Sequence, residues 1–167
     1  MIFRLSQKLN TKIKAGTLKA MPLDGNLYAD WSCHLFTADR TQYIILSNTK
    51  SLYSCVMYGK GIADESSFID RALTTIREFM QDDGQQFVHR KFVVPASGEV
   101  QFAKALNRSV AGSMNELIEQ AKFLLIEKEV SPFDVGFELN DILLSALASE
   151  ASRGYGKPNE AFKLLAG

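Results

Sequence analysis

The stretch 31–59, WSCHLFTADRTQYIILSNTKSLYSCVMYG, limits what this chain can fold into more than any other part of it. Trp31, Cys33 and Leu35 alternate with Ser32, His34 and Phe36, which is the period of a strand. A turn is expected over 37–42, where Asp39 and Thr41 can bond local backbone groups. Residues 43–46 are β-branched, aromatic or aliphatic and read as a second strand. A second turn follows over 47–50, with Asn48 suited to a positive φ. Residues 52–58 form the third strand, and Gly59 and Gly61 release the chain. Such short connections favour antiparallel neighbours, so a three-strand meander at 31–58 is expected.

Helices flank this meander. Residues 2–5 can form an opening strand, after which Ser6 caps a helix over 7–15 with Leu9 and Ile13 on one face. The clearest helix is expected over 65–81. Asp64 is its cap, and Phe68, Ala72, Leu73, Ile76, Phe79 and Met80 recur at three and four. Residues 91–94 read as extended before Pro95, and 99–105 as another strand. Ser113 and Glu116 form an S-x-x-E capping box, which predicts a helix over 114–128. Ser131 with Pro132 opens the next helix, which is expected to carry Phe137, Ile142 and Leu143. Residues 152–158 read as loop, and 159–165 as a short last helix. With 167 residues and no repeats or linkers, one α+β domain over 1–167 is expected. In it a small antiparallel or mixed sheet packs against three to five helices.

Composition restricts function by class. Lys plus Arg number 19 and Asp plus Glu number 19, so the formal net charge is zero. A dedicated nucleic-acid binder usually carries a basic excess. Arg4, Lys8, Lys12, Lys14 and Lys19 nevertheless precede the first acid, Asp24, and form a local basic run. The two cysteines, Cys33 and Cys55, sit in apolar strand-like segments and read as buried thiols. They could pair only on neighbouring strands. No run of about 18 apolar residues marks a membrane span, and no apolar leader is visible, so a cytoplasmic protein is expected. No cofactor is called for, and no H-E-x-x-H or D-x-D grouping calls for a metal.

The residues also resemble a known family. The carriers are Ile2-Phe3-Arg4, Trp31-x-x-x-Leu35-Phe36-x-x-Asp39-Arg40, and Asn48 with Leu52-Tyr53-Ser54. They continue in Asn107-Arg108-Ser109-Val110-x-Gly112-Ser113-Met114-Asn115, Glu138-Leu139-Asn140 and Pro158-x-x-Ala161-Phe162. Together they resemble an uncharacterised bacterial family defined as a domain of unknown function. The most specific stretch is 107–115. Glu116 stands where the family pattern favours Asp, and 148–154 is atypical of it. The resemblance implies a compact α+β domain and carries no activity.

Two polar clusters are the candidate ligand-binding residues: His34, Asp39 and Arg40, and Asn107, Arg108, Ser109 and Asn115. If the sheet brings them together at the start of the 114 helix, free N–H groups and two arginines would suit a phosphate or carboxylate. Gly112 would let the backbone approach. The competing reading is structural: Asp39 and Arg40 close a turn, Arg108 pairs with Asp39, and the asparagines satisfy loop backbone. That structural reading is preferred, the anion site next, catalysis last. Trp31 is read as a buried anchor rather than a stacking platform. Three functions are thus open. A non-enzymatic binding module, partnered by another protein or a second copy, is preferred. A nucleic-acid or nucleotide binder is the alternative, supported by Arg40, Arg90, Lys91 and Arg108 with the basic N-terminal run. A small hydrolase using His34 and Asp39 is the third. Catalytic residues are not identified, and no membrane partner is expected.

Overall fold

The computed structural model describes residues 1–147 and 156–166. The expected meander is formed by β2 (Asp30–Ala38), β3 (Thr41–Asn48) and β4 (Ser54–Tyr58). β2 and β3 are joined by Asp39 and Arg40 alone, both at positive φ (47° and 64°). That is a two-residue turn whose twist matches the strands it joins. The turn is therefore shorter than expected, and β3 longer at both ends. The second turn departs from expectation too. Leu52, not Asn48, takes the positive φ, at 64°. Asn48 is buried at the end of β3, where its amide donates to the carbonyls of Leu27 and Asp30 and accepts from Ser51.

The opening strand, β1 (Ile2–Leu5), pairs in parallel with β2 on one side and with β5 (Gln101–Ala103) on the other. The sheet order is β4-β3-β2-β1-β5, so the sheet is mixed. Residues 6–29 separate β1 from β2, long enough for the crossover that parallel strands require. β5 is also shorter than the expected strand over 99–105.

The helices are α1 (Gln7–Ile13), α2 (Glu65–Asp82), α3 (Gln86–Val88), α4 (Arg108–Ile126), α5 (Pro132–Leu139) and α6 (Pro158–Lys163). The Ser6 hydroxyl caps α1, and Lys14 ends it at φ 59°. Asp64 and Ser67 form a reciprocal capping box on α2. Ser131 caps α5 with Pro132 behind it, but α5 stops at Leu139, so Ile142 and Leu143 lie beyond it. Two expectations fail outright. Residues 91–94 are helical, continuing α3 as a π-helical turn and then a 3-10 turn. The alternation read there was coincidental: His89 and Val93 are one turn apart and both buried. α4 begins at Arg108, because Asn107 supplies the cap by accepting from the Val110 amide. The Ser113–Glu116 box lies inside the helix. Of the loop expected over 152–158, residues 152–155 fall outside the described residues.

The sheet buries both faces. On one, Phe3, Trp31, Leu46 and Met57 meet α1 and α2 through Leu9, Ile13, Phe68 and Phe79. Phe162 of α6 enters the same core, stacked on Tyr53 at 4.0 Å. On the other, Ile45 and Val56 meet Met114, Leu117 and Ala121 of α4 and Val135 and Leu139 of α5. Trp31 is fully buried and donates to the Tyr28 carbonyl, the anchor role expected of it. Cys33 and Cys55 are free and buried. Both face Leu46 from opposite sides, so their strands are not neighbours. Two strand spacings, about 10 Å, are too far for a disulfide.

Candidate functional site

β1 leaves the sheet at Leu5, while β2 runs on to Ala38. The outer half of β2 consequently has no strand on its β1 side. Ser6 starts α1 there: its amide donates to the Cys33 carbonyl, and its hydroxyl lies 3.5 Å from the Leu35 amide. Those two bonds fix which backbone groups face outward. Cys33 and Leu35 present theirs to the β1 side, so by the alternation along a strand Thr37 does too. α1 lies over one face of this outer half, and α4 over the other.

The space left between α1, β2 and α4 is an open cleft of about 900 Å³. Lys8 and Lys12 of α1, His34 and Thr37 of β2, and Asn115 and Lys122 of α4 line it. The Lys12 ammonium donates to the Gln42 side chain at 2.8 Å. Lys122 lies 3.6 Å from Glu119, an exposed pair that leaves its charge largely available. Lys8 makes no ion pair among the described residues. The cleft thus holds three ammonium groups against one carboxylate. His34 is half-buried, and its ring makes no hydrogen bond among the described residues. Burial holds its pKa below the ordinary value of 6.5, so the ring is neutral at pH 7.

The sequence-nominated residues are distributed over three places. His34 and Asn115 meet in the cleft. Asp39 and Arg40 form the exposed hairpin tip. Ser109 lies beside Thr49, Lys50 and Leu52, and Asn107 and Arg108 adjoin it at the start of α4. Thr49 bonds the Asp30 carbonyl, at the far end of β2 from the hairpin tip. The nine residues of β2 span roughly 27 Å, so Arg40 and Arg108 are at opposite ends of the sheet. Arg108 pairs with no acid among the described residues, so it does not bridge to Asp39. His34 and Asp39 stand about 17 Å apart along the strand, beyond the reach of an acid–base pair. Gly112 sits within α4, and a Cβ added there meets nothing within 4 Å, so it serves no close approach.

Sequence reasoning did not find Lys8, Lys12 and Lys122 as a group. Lys8 and Lys12 are four apart on the polar side of α1, which was a usable signal. Lys122 was not, because only the α1–α4 juxtaposition brings it there. Arg4, counted with the basic run, is instead buried and paired with Asp30 at 2.8 Å.

Among the described residues no helix is long and apolar enough to cross a membrane, and no three His, Cys, Asp or Glu side chains are grouped to hold a metal. The fold is an α+β domain built on a five-stranded mixed sheet with one cationic cleft beside its truncated strand. The chain belongs to the family described as Domain of unknown function (DUF6933), whose model matches residues 2–161. No curated protein and no solved structure matches it.

Proposed function

We propose that this protein is a non-enzymatic binding module and that the cleft between α1, β2 and α4 takes an anionic group, a carboxylate or phosphate, from a partner. The observation that carries this reading is the convergence of Lys8, Lys12 and Lys122 on one open cleft that also holds His34 and Asn115. Ammonium groups attract anions as point charges, and neutral His34, Asn115 and Thr37 add directional hydrogen bonds. A hydrolytic role has less support, because among the described residues the His34 ring makes no hydrogen bond to a hydroxyl nucleophile or to an orienting carboxylate. Nucleic-acid binding loses Arg4 from its basic footprint.

The test is an amide NMR titration with inorganic phosphate at low salt. Saturable shifts are expected in Gln7–Ile13, 34–37 and 115–122. The double variant Lys8→Glu/Lys122→Glu should weaken binding about tenfold or more, since reversal replaces attraction by repulsion. Shifts confined to 107–109 or to the hairpin tip, or no saturable shifts at all, would defeat the reading.

A further inference from the structure

The other strand edges differ from the outer half of β2. The outer edge of β4 is capped at its start by Asn140, whose side-chain amide donates to the Ser54 carbonyl at 3.0 Å and accepts from the Ser54 amide at 2.7 Å. Beyond it, Val56 is buried against α5. The outer edge of β5 is met by the chain at Lys19, which pairs with Ala103 and accepts from the Lys104 amide. The outer half of β2 has only the Ser6 side chain, and that reaches no further than Leu35. Among the described residues no side chain bonds the Leu35 carbonyl or either backbone group of Thr37, and both residues line the cleft. These groups point into the slot that β1 would occupy if it did not turn into α1 at Ser6.

We infer that the cleft receives an extended acidic peptide segment of a partner protein, added as a short strand to the Leu35–Thr37 edge of β2 in the place β1 vacates. The inference rests on the anion-binding reading above and adds the occupant. The main chain supplies the fit: a peptide N–H meets the Leu35 carbonyl, and a peptide carbonyl meets the Thr37 amide. This is strand addition to an exposed edge, in which backbone bonds hold the segment and alternate side chains select it. Side chains of an added strand point alternately to the two faces. One set meets Lys8 and Lys12 of α1, the other Lys122 and Asn115 of α4. Carboxylates on the segment complement those ammonium groups. An edge left free in this way is otherwise a liability for self-association, and flanking lysines are a usual guard against it.

The experiment uses the full chain and fluorescein-labelled, end-blocked hexapeptides read by fluorescence anisotropy at low salt. The probes are alternating Glu-Val, the same peptide methylated on alternate backbone nitrogens, and alternating Lys-Val. The acidic peptide should bind saturably, with affinity falling steeply as salt rises. Backbone methylation should cost about tenfold or more, because it removes the donor for Leu35 and leaves charge and sequence unchanged. The lysine peptide should not bind. On the protein side, Thr37→Pro removes the inward N–H at a position whose amide no strand uses, and an edge strand tolerates it. It should weaken the acidic peptide by a larger factor than phosphate, which loses only the Thr37 hydroxyl and keeps the three ammonium groups. If that variant fails to fold, the methylated peptide tests the same bond on the unaltered protein. Equal binding of the methylated and parent peptides overturns the strand-addition inference and leaves the anion site standing. Phosphate binding without peptide binding does the same. Binding of neither overturns both.

Discussion

Arg4 uses all five of its N–H donors inside the protein. Nε and one Nη bind the two oxygens of Asp30 at 2.8 Å each, and the remaining donors go to the carbonyls of Met21, Pro22 and Lys104. Asp30 also accepts from Thr49 and from the Asp24 amide, so neither charge has an unmet demand. This one side chain ties β1 to β2, to the loop before β2 and to the exit of β5. Removing one partner of a fully buried pair strands the other, which costs about 3–5 kcal/mol. Asp30→Ala should therefore lose about that much, read as a lower urea midpoint. The double variant Arg4→Met/Asp30→Leu should recover only part of it, since the three carbonyls stay without donors. A change below about 1 kcal/mol for Asp30→Ala would contradict this account. In the sequence, Arg4 stands among lysines and nothing local distinguishes it. Only a partner 26 positions away makes it internal.

Two glycines on helices show that the same residue type can be an opportunity or a requirement. In α5, a Cβ at Gly136 would lie 2.5 Å from Cε2 of Phe79 and 2.9 Å from the Ser54 carbonyl oxygen. The carbonyl belongs to β4 and cannot swing aside. Overpacking typically costs 1–3 kcal/mol, against a helix-propensity gain of up to about 1 kcal/mol for Gly→Ala. Gly136→Ala should therefore lower Tm. In α4, the open surroundings of Gly112 leave only the propensity term, and Gly112→Ala should raise Tm. Thermal melts of both variants check the pair; the same sign in both would refute the distinction. Elements whose signals lie within a few residues were readable before folding: Asp64 capping α2, Ser131 with Pro132 opening α5, the strand alternation of β2. The misread elements had two local solutions. Asn107 and Ser113 are both good caps, and the apolar stripe of α4 extends back far enough to favour the first. Residues 89–93 fit either period, and packing of His89 and Val93 chose the helix.

Across the whole molecule, acid sensitivity follows from the two histidines. Burial lowers the pKa of His34, and burial with the Arg77 charge lowers that of His89, both from 6.5. Below about pH 6.5 the unfolded chain binds more protons than the folded one, so folding weakens as pH falls and is unaffected by these groups well above it. Urea midpoints should decline from about pH 7.5 to about pH 5.5. The variant His34→Gln/His89→Gln should flatten that limb. An unchanged slope in the double variant would assign the loss elsewhere.

The amino-acid sequence alone settled the α+β class, the 31–58 meander, the amphipathic α2 and the burial of Trp31 and both cysteines. Each depends on periodicity, turn chemistry or polarity within a short window, where the chain has few alternatives. Tertiary structure decided that β1 lies between β2 and β5, that Arg4 is internal, and that His34 shares a cleft with Asn115 while Arg40 and Arg108 stand at opposite ends of the sheet. Those outcomes depend on the register between strands far apart in sequence and on where β1 ends. A one-residue slip would turn each side chain to the other face, and no local pattern encodes that choice.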